Sequence, residues 1–575
     1  MNAKRTTPDY DIAIVGGGIS GIYTAYRLLS GDLARSPKLK SWAGKAGKLK
    51  VGLFEGSDRI GGRLLSARPP GMPHVTCELG GMRYMSSQTL IRGLVENELK
   101  ILPRHKQVVI DDKNIAYLRG KHLSIKQLSD PGKLPYALLD DEKAWLRQKN
   151  TASTLAGWSV AKLLPKVNTL HGDALHQYLR SAEIDGTPLY EHGFWNLLAR
   201  GMSFEAYSLA RATVGYDCLG VNANAMDLIL EYFDFTPDVE YILMDGGYET
   251  VPWSLQSRFT ECGGELKTGA WLARFDAATL SDGTTGVALA FRDGGSATAR
   301  AIVLAMPKRS LELLQRAGPV LGSEAPAHVG SLINSVEAFP FDKLFIVYPE
   351  PWWEKLGYSA GRSLTDIPIR QCYYWAVEGQ QSGADPRNTN STLMAYSDMS
   401  GAEFWGGLRL RRLGTNDALT WSISAGRKRA GAAVHARKLY ARKPIAFAAA
   451  DPAHNGFDKR LRKNWDAHQA PHEMVVEMHR QLKLLHNAHE IPDPIDAAFM
   501  DWTDDPFGGG VHLWNAGYKS WEVLDQMIKP VRGFPCYVCG EAYSTNQTWA
   551  EGALQTAEIV LQSQFHLAAP AWLKP

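Results

Sequence analysis

The stretch that most constrains this chain runs from Tyr10 to Leu29. Tyr10-Asp11-Ile12-Ala13-Ile14-Val15 is a short β-rich apolar run. It meets Gly16-Gly17-Gly18-Ile19-Ser20-Gly21, and an amphipathic helical pattern follows through Ile22, Ala25, Tyr26, Leu28 and Leu29. Strand, glycine turn and helix in that order are the context a dinucleotide-binding fingerprint requires. Gly16 permits the tight turn, Gly18 lets backbone N–H groups approach a pyrophosphate, and Gly21 lets the helix pack closely on the strand. The helix N-terminus at Ile19 and Ser20 then faces the phosphate charge.

The acidic residue of such a fingerprint normally follows within about 20 residues. Here it is Glu55, at the end of the apolar strand Lys50-Val51-Gly52-Leu53-Phe54. The extra length is Ser30 to Lys50, rich in Gly, Lys and Ser, which reads as a solvated surface loop in preference to a basic docking loop. The rest of the chain has room for more than one unit. Its 575 residues suggest two to four domains, and 45% apolar with 21% charged residues marks a globular chain. Sixty-three Lys+Arg against sixty Asp+Glu leave +3, which argues against an obligate nucleic-acid binder. No run of eighteen apolar residues predicts a membrane-spanning helix. Met1 to Asp9 is polar with no apolar signal core, so a cytoplasmic protein is expected. Six cysteines are too few for a disulfide framework. Cys536 and Cys539 form a Cys-x-x-Cys, but in an apolar strand with no second ligand pair nearby. They read as buried thiols rather than as a redox or zinc pair, and no metal is expected.

Further along, 99–240 reads as largely helical, with Asp141–Gln148 and Ala225–Tyr232 the clearest helices. Met244-Asp245-Gly246-Gly247-Tyr248 is a glycine turn leading to a helix and to strands at Glu265–Phe275, Gly286–Phe291 and Arg300–Ala305. Residues 331–380 alternate strands with aromatic-rich turns. Arg427 to Lys463 carries eleven Lys/Arg against Asp451 and Asp458 alone, and reads as a solvated insertion or a subunit interface rather than a nucleic-acid patch. A last strand at Cys536–Val538 leads to Gly540-Glu541 and a helix from Glu551.

Three further motifs give the glycine fingerprint its weight. Glu55 is followed by Gly56-Ser57-Asp58-Arg59-Ile60-Gly61-Gly62-Arg63, a carboxylate that suits a ribose diol followed by cations and bare N–H groups that suit a phosphate or an electron-rich ring. Then come Cys77-Glu78-Leu79-Gly80-Gly81-Met82-Arg83-Tyr84 and, near the C-terminus, Gly540-Glu541 with Trp549-Ala550-Glu551-Gly552-Ala553. This ordered set resembles the flavin amine oxidase family, which includes monoamine and polyamine oxidases, L-amino acid oxidases and tryptophan 2-monooxygenases. The anchors lie at 10–30, 51–84, 244–275, 301–353 and 535–560, nearly the whole chain. The resemblance implies an α/β (α+β overall) fold in which a Rossmann-like FAD-binding domain is split into 8–98, 241–325 and 501–575. A helical domain at 99–240 and a mixed-sheet substrate-binding domain at 326–500 complete it.

It further implies FAD in an elongated pose, its adenosine end at Gly16–Gly21 and Glu55 and its isoalloxazine toward Arg63, Gly81–Arg83 and Trp549. The backbone at Leu272–Ala273 would lie by the adenine, and Glu541 by the ribityl–phosphate region. Lys343, in Asp342-Lys343-Leu344-Phe345-Ile346-Val347-Tyr348, looks like the family lysine joined through water to flavin N5, where a fixed cation steadies the charge that develops during electron transfer. Arg83 matches the arginine that clamps the substrate carboxylate in L-amino acid oxidases, with pairing to Glu78 or to a flavin oxygen as the structural alternative. In Pro368-Ile369-Arg370-Gln371-Cys372-Tyr373-Tyr374, Tyr374 is the first choice and Tyr373 the second for a hydrogen bond to that carboxylate. Trp549 matches the aromatic wall at the flavin face, and Trp514 is a candidate to complete the pocket or a core residue. The family's covalent flavin link uses a cysteine where this chain reads Pro506-Phe507-Gly508-Gly509-Gly510-Val511, so a non-covalent FAD is expected.

The implied reaction is oxidative deamination of an L-amino acid to a 2-oxo acid, ammonia and hydrogen peroxide, with dioxygen as electron acceptor. An amino acid 2-monooxygenase, an amine or polyamine oxidase, and a flavin-free binding module of the same fold are the alternatives. Asp217 faces a basic substrate group or serves as a cap or surface residue. Relatives are commonly dimers or larger, so a homo-oligomer is expected. Side-chain preference stays open.

Overall fold

The glycine-rich turn sits between β1 (Tyr10–Val15) and α1 (Ile19–Ser30), with β2 at Val51–Phe54. The computed structural model describes residues 6–573 except 149, 151, 219–220, 234–238 and 410–455. β1 is buried throughout, as its Ile12–Val15 apolar run requires of a central parallel strand. Parallel to it on one side lie β2 and then Glu265–Lys267; on the other lies Ser296–Ala305. The C-terminal half of that long strand pairs in parallel with Cys536–Cys539. Its N-terminal half turns antiparallel to Thr285–Phe291, which pairs with Leu272–Thr279. Strand order therefore reverses direction between β1 and Ser296–Ala305, and the crevice at their carboxyl ends is where such a sheet binds ligands. Helices α1, Thr250–Glu261 and Ala550–Phe565 pack on one face through Ile22, Leu255 and Leu561, while Leu311, Leu332 and Met527 cover the other.

The expected strand Glu265–Phe275 is two strands in separate places. Gly269, at φ +72°, turns the chain between Glu265–Lys267 on one edge of the sheet and Leu272–Thr279 on the other. Ser30–Lys50 is likewise not an open loop. It carries a helix, Pro37–Ala43, begun by the Ser36 hydroxyl accepting the Leu39 N–H at 3.2 Å with Pro37 at the first position. Leu39 is fully buried, and Lys38 lies over the rings of Trp42 and Phe565. The lysine-rich composition hid a Ser-Pro helix start with one apolar anchor.

A second seven-stranded sheet runs in the order Asp496–Asp501, Phe341–Tyr348, Ser391–Asp398, Gln371–Val377, Arg362–Thr365, Ile115–Leu118, Lys121–Ser124. It is antiparallel except where Arg362–Thr365 meets Ile115–Leu118. The stretch read as largely helical thus contributes two strands here, besides helices Asp140–Arg147, Leu155–Leu163, Gly172–Ser181, Phe194–Gly201, Phe204–Val214 and Ala225–Phe233 around a core of their own. A small third sheet joins Tyr84–Met85, Tyr241–Met244 and Arg104–Lys106.

Of the basic segment, 427–455 lies outside the described residues. Its end falls in helix Gly456–Ala467, whose Asp458 pairs with Arg68 and whose Arg460 lies 3.4 Å from the Trp253 ring centroid. Cys536 and Cys539 are unbridged and fully buried in their strand, and burial pushes both thiols up, Cys539 to about 12. Among the described residues no helix is long and apolar enough to cross a membrane.

Candidate active site

One cavity of about 640 Å³ opens at the carboxyl ends of the parallel strands and continues under the second sheet. Every residue expected to hold cofactor or substrate lines it except Gly21, Tyr373, Tyr374 and Trp514.

Its nucleotide end is built from backbone. Gly16 has φ +106°, and a Cβ there would meet the Ala305 carbonyl oxygen at 2.2 Å; one on Gly21 would meet the Gly16 oxygen at 1.8 Å. Gly21 is therefore absent from the wall because it serves the helix–strand contact, as its place in the fingerprint implies. Gly18 differs, since a Cβ there would meet nothing closer than Gly62 Cα at 3.9 Å. It faces the cavity, and no side chain caps the start of α1, so the first N–H groups of the helix are left for a ligand. Glu55 accepts the Gly17 N–H at 2.6 Å and the Ser57 N–H at 2.8 Å, and Gly61 N donates to Gly17 O at 2.8 Å, which holds the two glycine loops together. Arg59 is braced by Glu249 at 3.2 Å and by the Gly62 carbonyl. Trp271, unforeseen although it directly precedes Leu272–Ala273, lies under Gly56 and is covered by the Arg292 guanidinium at 4.2 Å.

Farther along, Arg63 donates to Glu541 at 2.8 Å and to the Gly510 carbonyl at 2.8 Å. Burial would raise the Glu541 carboxyl, but Arg63, His512 at 2.8 Å and the Thr548 N–H hold it well below the usual carboxylate range. These residues fit the elongated flavin dinucleotide that the motifs imply. Open space stands over Gly18 alone of the three fingerprint glycines, an uncapped helix start lies beside it, and Gly80 and Gly81 continue the wall as bare backbone.

Side chains make the other end. Arg83 precedes the strand Tyr84–Met85, and its guanidinium lies 4.1 Å from the centroid of Tyr241, on the paired strand. It donates to Gln107 Oε1 at 2.6 Å, while Gln107 N donates to the Tyr241 carbonyl at 2.8 Å. Arg83 is 8% exposed, and among the described residues no carboxylate lies within ion-pair distance of it. The expected alternative partner, Glu78, is committed elsewhere: it accepts from Ser66 Oγ at 2.7 Å and Tyr248 N at 2.8 Å. Trp549 stands beyond Tyr241, ring centroids 6.4 Å apart and nearly parallel at 24°. Lys343 is buried on its strand and donates to the Gly80 carbonyl, with its ammonium 4.7 Å from the Tyr396 centroid. Burial lowers it to about 7 against the pull of Glu78, and Arg83 adds to the drop; burial raises Glu78 to about 8.

Three expectations fail here. Tyr374 points away from the cavity into the opposite side of the second sheet, where its hydroxyl meets Ser363 Oγ at 2.8 Å and His486 Nε2 at 2.9 Å. Neighbours on a strand face opposite ways, so the second choice, Tyr373, faces the site. It lies one layer behind the wall, its hydroxyl 3.5 Å from that of Tyr216 and 3.4 Å from Arg362. Burial would raise Tyr373, but the Arg362 and Arg83 charges bring it below its ordinary value. Trp514 is core: it is 2% exposed and gives its indole N–H to the Ser544 carbonyl at 3.1 Å. Asp217 is neither cap nor surface, since it pairs with Arg370 at 3.0 Å and Arg211 at 3.2 Å while buried.

Sequence reasoning missed Tyr216, Glu231, Tyr241, Phe341 and Tyr396, all in the wall. They come from five separate segments with no local motif. Only Phe341 had a signal, its place two residues before Lys343 on an alternating strand.

A family model of flavin-containing amine oxidoreductases matches residues 19–405. Aplysianin-A of Aplysia kurodai is 25% identical over 96% of this chain and 90% of its own. Achacin of Lissachatina fulica is 23% identical over 96% and 93%. An L-amino-acid oxidase of Mus musculus is 21% identical over 65% of this chain and 53% of its own. The solved structure of wild-type putrescine oxidase bound to putrescine superposes with a TM-score of 0.60 at 15% identity, over 97% of this chain and 99% of that one. At that identity the likeness speaks for the fold alone. With more than half of its length matched, from the helix of the glycine fingerprint to the second sheet, the chain belongs to the flavin-containing amine oxidoreductase family.

Proposed function

We propose that this chain is an FAD-dependent oxidase of L-amino acids. The observation that carries the reading is Arg83, a buried guanidinium in the cavity wall with no carboxylate partner among the described residues. An isolated buried cation is costly, and a carboxylate brought by the substrate removes that cost. Gln107 fixes one edge of the guanidinium and Tyr241 backs its face, leaving its remaining N–H groups for a bidentate grip on a carboxylate. A carboxylate held this way also fixes the α-carbon, and alignment of that carbon accounts for much of the expected rate. Trp549 and Tyr241 give the uncharged amine an aromatic surface. Bound FAD would supply the two-electron acceptor for the α-carbon hydride, with dioxygen taking up those electrons as hydrogen peroxide. Lys343, tethered to the Gly80 carbonyl beside Arg83, holds or releases a proton near neutral pH. The imino acid released is hydrolysed by water to a 2-oxo acid and ammonia.

Retention of FAD without a covalent bond belongs to the same reading, because Pro506, Phe507, Gly510 and Val511, which line the cavity where a link would form, carry no nucleophile. Yellow chromophore released by acid precipitation supports it; pigment kept in the pellet contradicts it. The activity is tested by incubating the holoenzyme with L- and D-amino acids and simple amines, following peroxide, and identifying products by mass spectrometry. Stereospecific 2-oxo acid formation is expected. An amide one carbon shorter would make the enzyme a 2-monooxygenase, and turnover of amines in preference to amino acids would remove the role given to Arg83.

A further inference from the structure

The cavity wall holds a second charged group that the oxidase reading does not use. Glu231 lies on helix Ala225–Phe233 and faces the cavity. It has no hydrogen-bond or ion-pair partner among the described residues. One turn earlier, Asp227 of the same helix receives a hydrogen bond from Ser520 Oγ at 2.8 Å, so the helix's two inward carboxylates are treated differently. Glu231 acts electrostatically on the Cys218 thiol, and Arg83 acts on the hydroxyl of Tyr216, two residues away. Both Tyr216 and Cys218 line the cavity, so the carboxylate and the guanidinium address the same short piece of wall. Phe341, Tyr396 and Tyr241 belong to the same lining.

We propose that Glu231 is the specificity-determining anchor for a cationic substrate side chain, so that the preferred substrates are L-amino acids ending in an ammonium or guanidinium group. The inference rests on the oxidase reading, because it assigns the far end of the molecule whose carboxylate Arg83 holds. A substrate with an acid group at one end and a cation at the other meets Arg83 and Glu231 at once, neither of which has an ion-pair partner among the described residues. The aliphatic stem between them suits the aromatic lining. Burial pushes the Glu231 carboxyl up to about 7, and no cation among the described residues offsets it. A bound ammonium restores that partner, and a charge-assisted hydrogen bond in a desolvated site is among the stronger polar contacts.

Three probes separate this inference from the reading beneath it. L-Lysine carries both charges, L-norleucine keeps the carboxylate with an uncharged side chain, and 1,5-diaminopentane keeps the distal cation without the carboxylate. Steady-state kcat/KM for the holoenzyme should favour L-lysine over L-norleucine by about 10- to 300-fold. In Glu231→Gln the lysine-to-norleucine ratio should fall at least tenfold, with the flavin-to-protein ratio measured beside it. Glu231→Asp, which keeps the charge on a shorter arm, should fall between the two and serves if the Gln variant does not fold. L-Norleucine oxidised as well as or better than L-lysine overturns the inference and leaves the oxidase reading standing. Diaminopentane preferred to L-lysine supports Glu231 and overturns the carboxylate clamp. No turnover of any of the three overturns both.

Discussion

The two ends of the cavity are made by different means. At the nucleotide end, contiguous glycines set the shape by backbone conformation, and each shape is written in one short motif. At the substrate end, Arg83, Gln107 and Tyr241 meet because Tyr84–Met85, Arg104–Lys106 and the distant Tyr241–Met244 share a small sheet, and Glu231 arrives from a helix of another core. A binding surface made of N–H groups recognises what a class of cofactors has in common, whereas one made of dispersed side chains is free to vary with the substrate.

The sharpest way to break this contrast is to put a methyl group on the glycines. Gly16→Ala combines a positive φ with a clash against the Ala305 carbonyl, and should cost about 2–6 kcal/mol by thermal or denaturant unfolding. Gly18→Ala has room in the protein and should unfold within about 0.5 kcal/mol of the parent. Its FAD affinity, measured by fluorescence titration of the stripped protein, should drop at least ~10-fold as the methyl enters the cofactor's space. Equal effects of the two substitutions would mean that Gly18 is structural as well.

At the other end, Arg83→Ala should lower kcat/KM for amino acids by about 2–5 kcal/mol, roughly 30- to several-thousand-fold, with flavin content retained. Amino acid oxidation at the parent rate would place the carboxylate clamp elsewhere. Lys343 lies where the two ends meet. Its protonated form prevails below about 7, so the second-order rate constant for dioxygen should be higher at pH 6 than at pH 8.5. The break belongs to the Lys343–Glu78 pair rather than to either group alone. Lys343→Met should lower that constant by about 10- to 100-fold and flatten the profile. A profile unchanged in the variant would assign the titration to another group.

The smallest expected effects compare neighbours. Tyr373→Phe removes a hydroxyl behind the wall and should reduce kcat/KM about two- to tenfold, through Tyr216 and Arg362. Tyr374→Phe should leave kcat/KM as it was and cost about 1 kcal/mol of stability, because Ser363 and His486 lose a buried partner. A reversed pattern would restore Tyr374 as the substrate-facing residue.

The contrast also explains what was legible beforehand. Gly16, Gly18, Glu55, Gly62, Gly81 and Glu541 were readable because each satisfies a local rule, of turn, close approach or helix start. Arg83 and Lys343 were readable because their motifs adjoin those glycines or a buried strand. Tyr373 and Tyr374 were ambiguous by one residue, since alternation fixes that two neighbours oppose each other but not which of them faces the site. Tyr216, Tyr241 and Glu231 lacked any local signal; only tertiary packing brings them into the wall. The helix at Pro37–Ala43 was missed for a different reason. Its Lys38 sets its ammonium over the Trp42 and Phe565 rings, so its charge misrepresented its position.

The pairing of Ser296–Ala305 with Cys536–Cys539 has a temporal side. During synthesis the glycine loop at Gly16–Gly21 precedes both strands, and the strand that leads to Gly540, Glu541 and Trp549 is made more than two hundred residues after its partner. A nascent fragment through residue 305 holds the nucleotide fingerprint without the opposite wall. The long interval between the paired strands makes their closure a slow, non-local step of assembly, and the wall that Gly540, Glu541 and Trp549 add to the cavity waits on it.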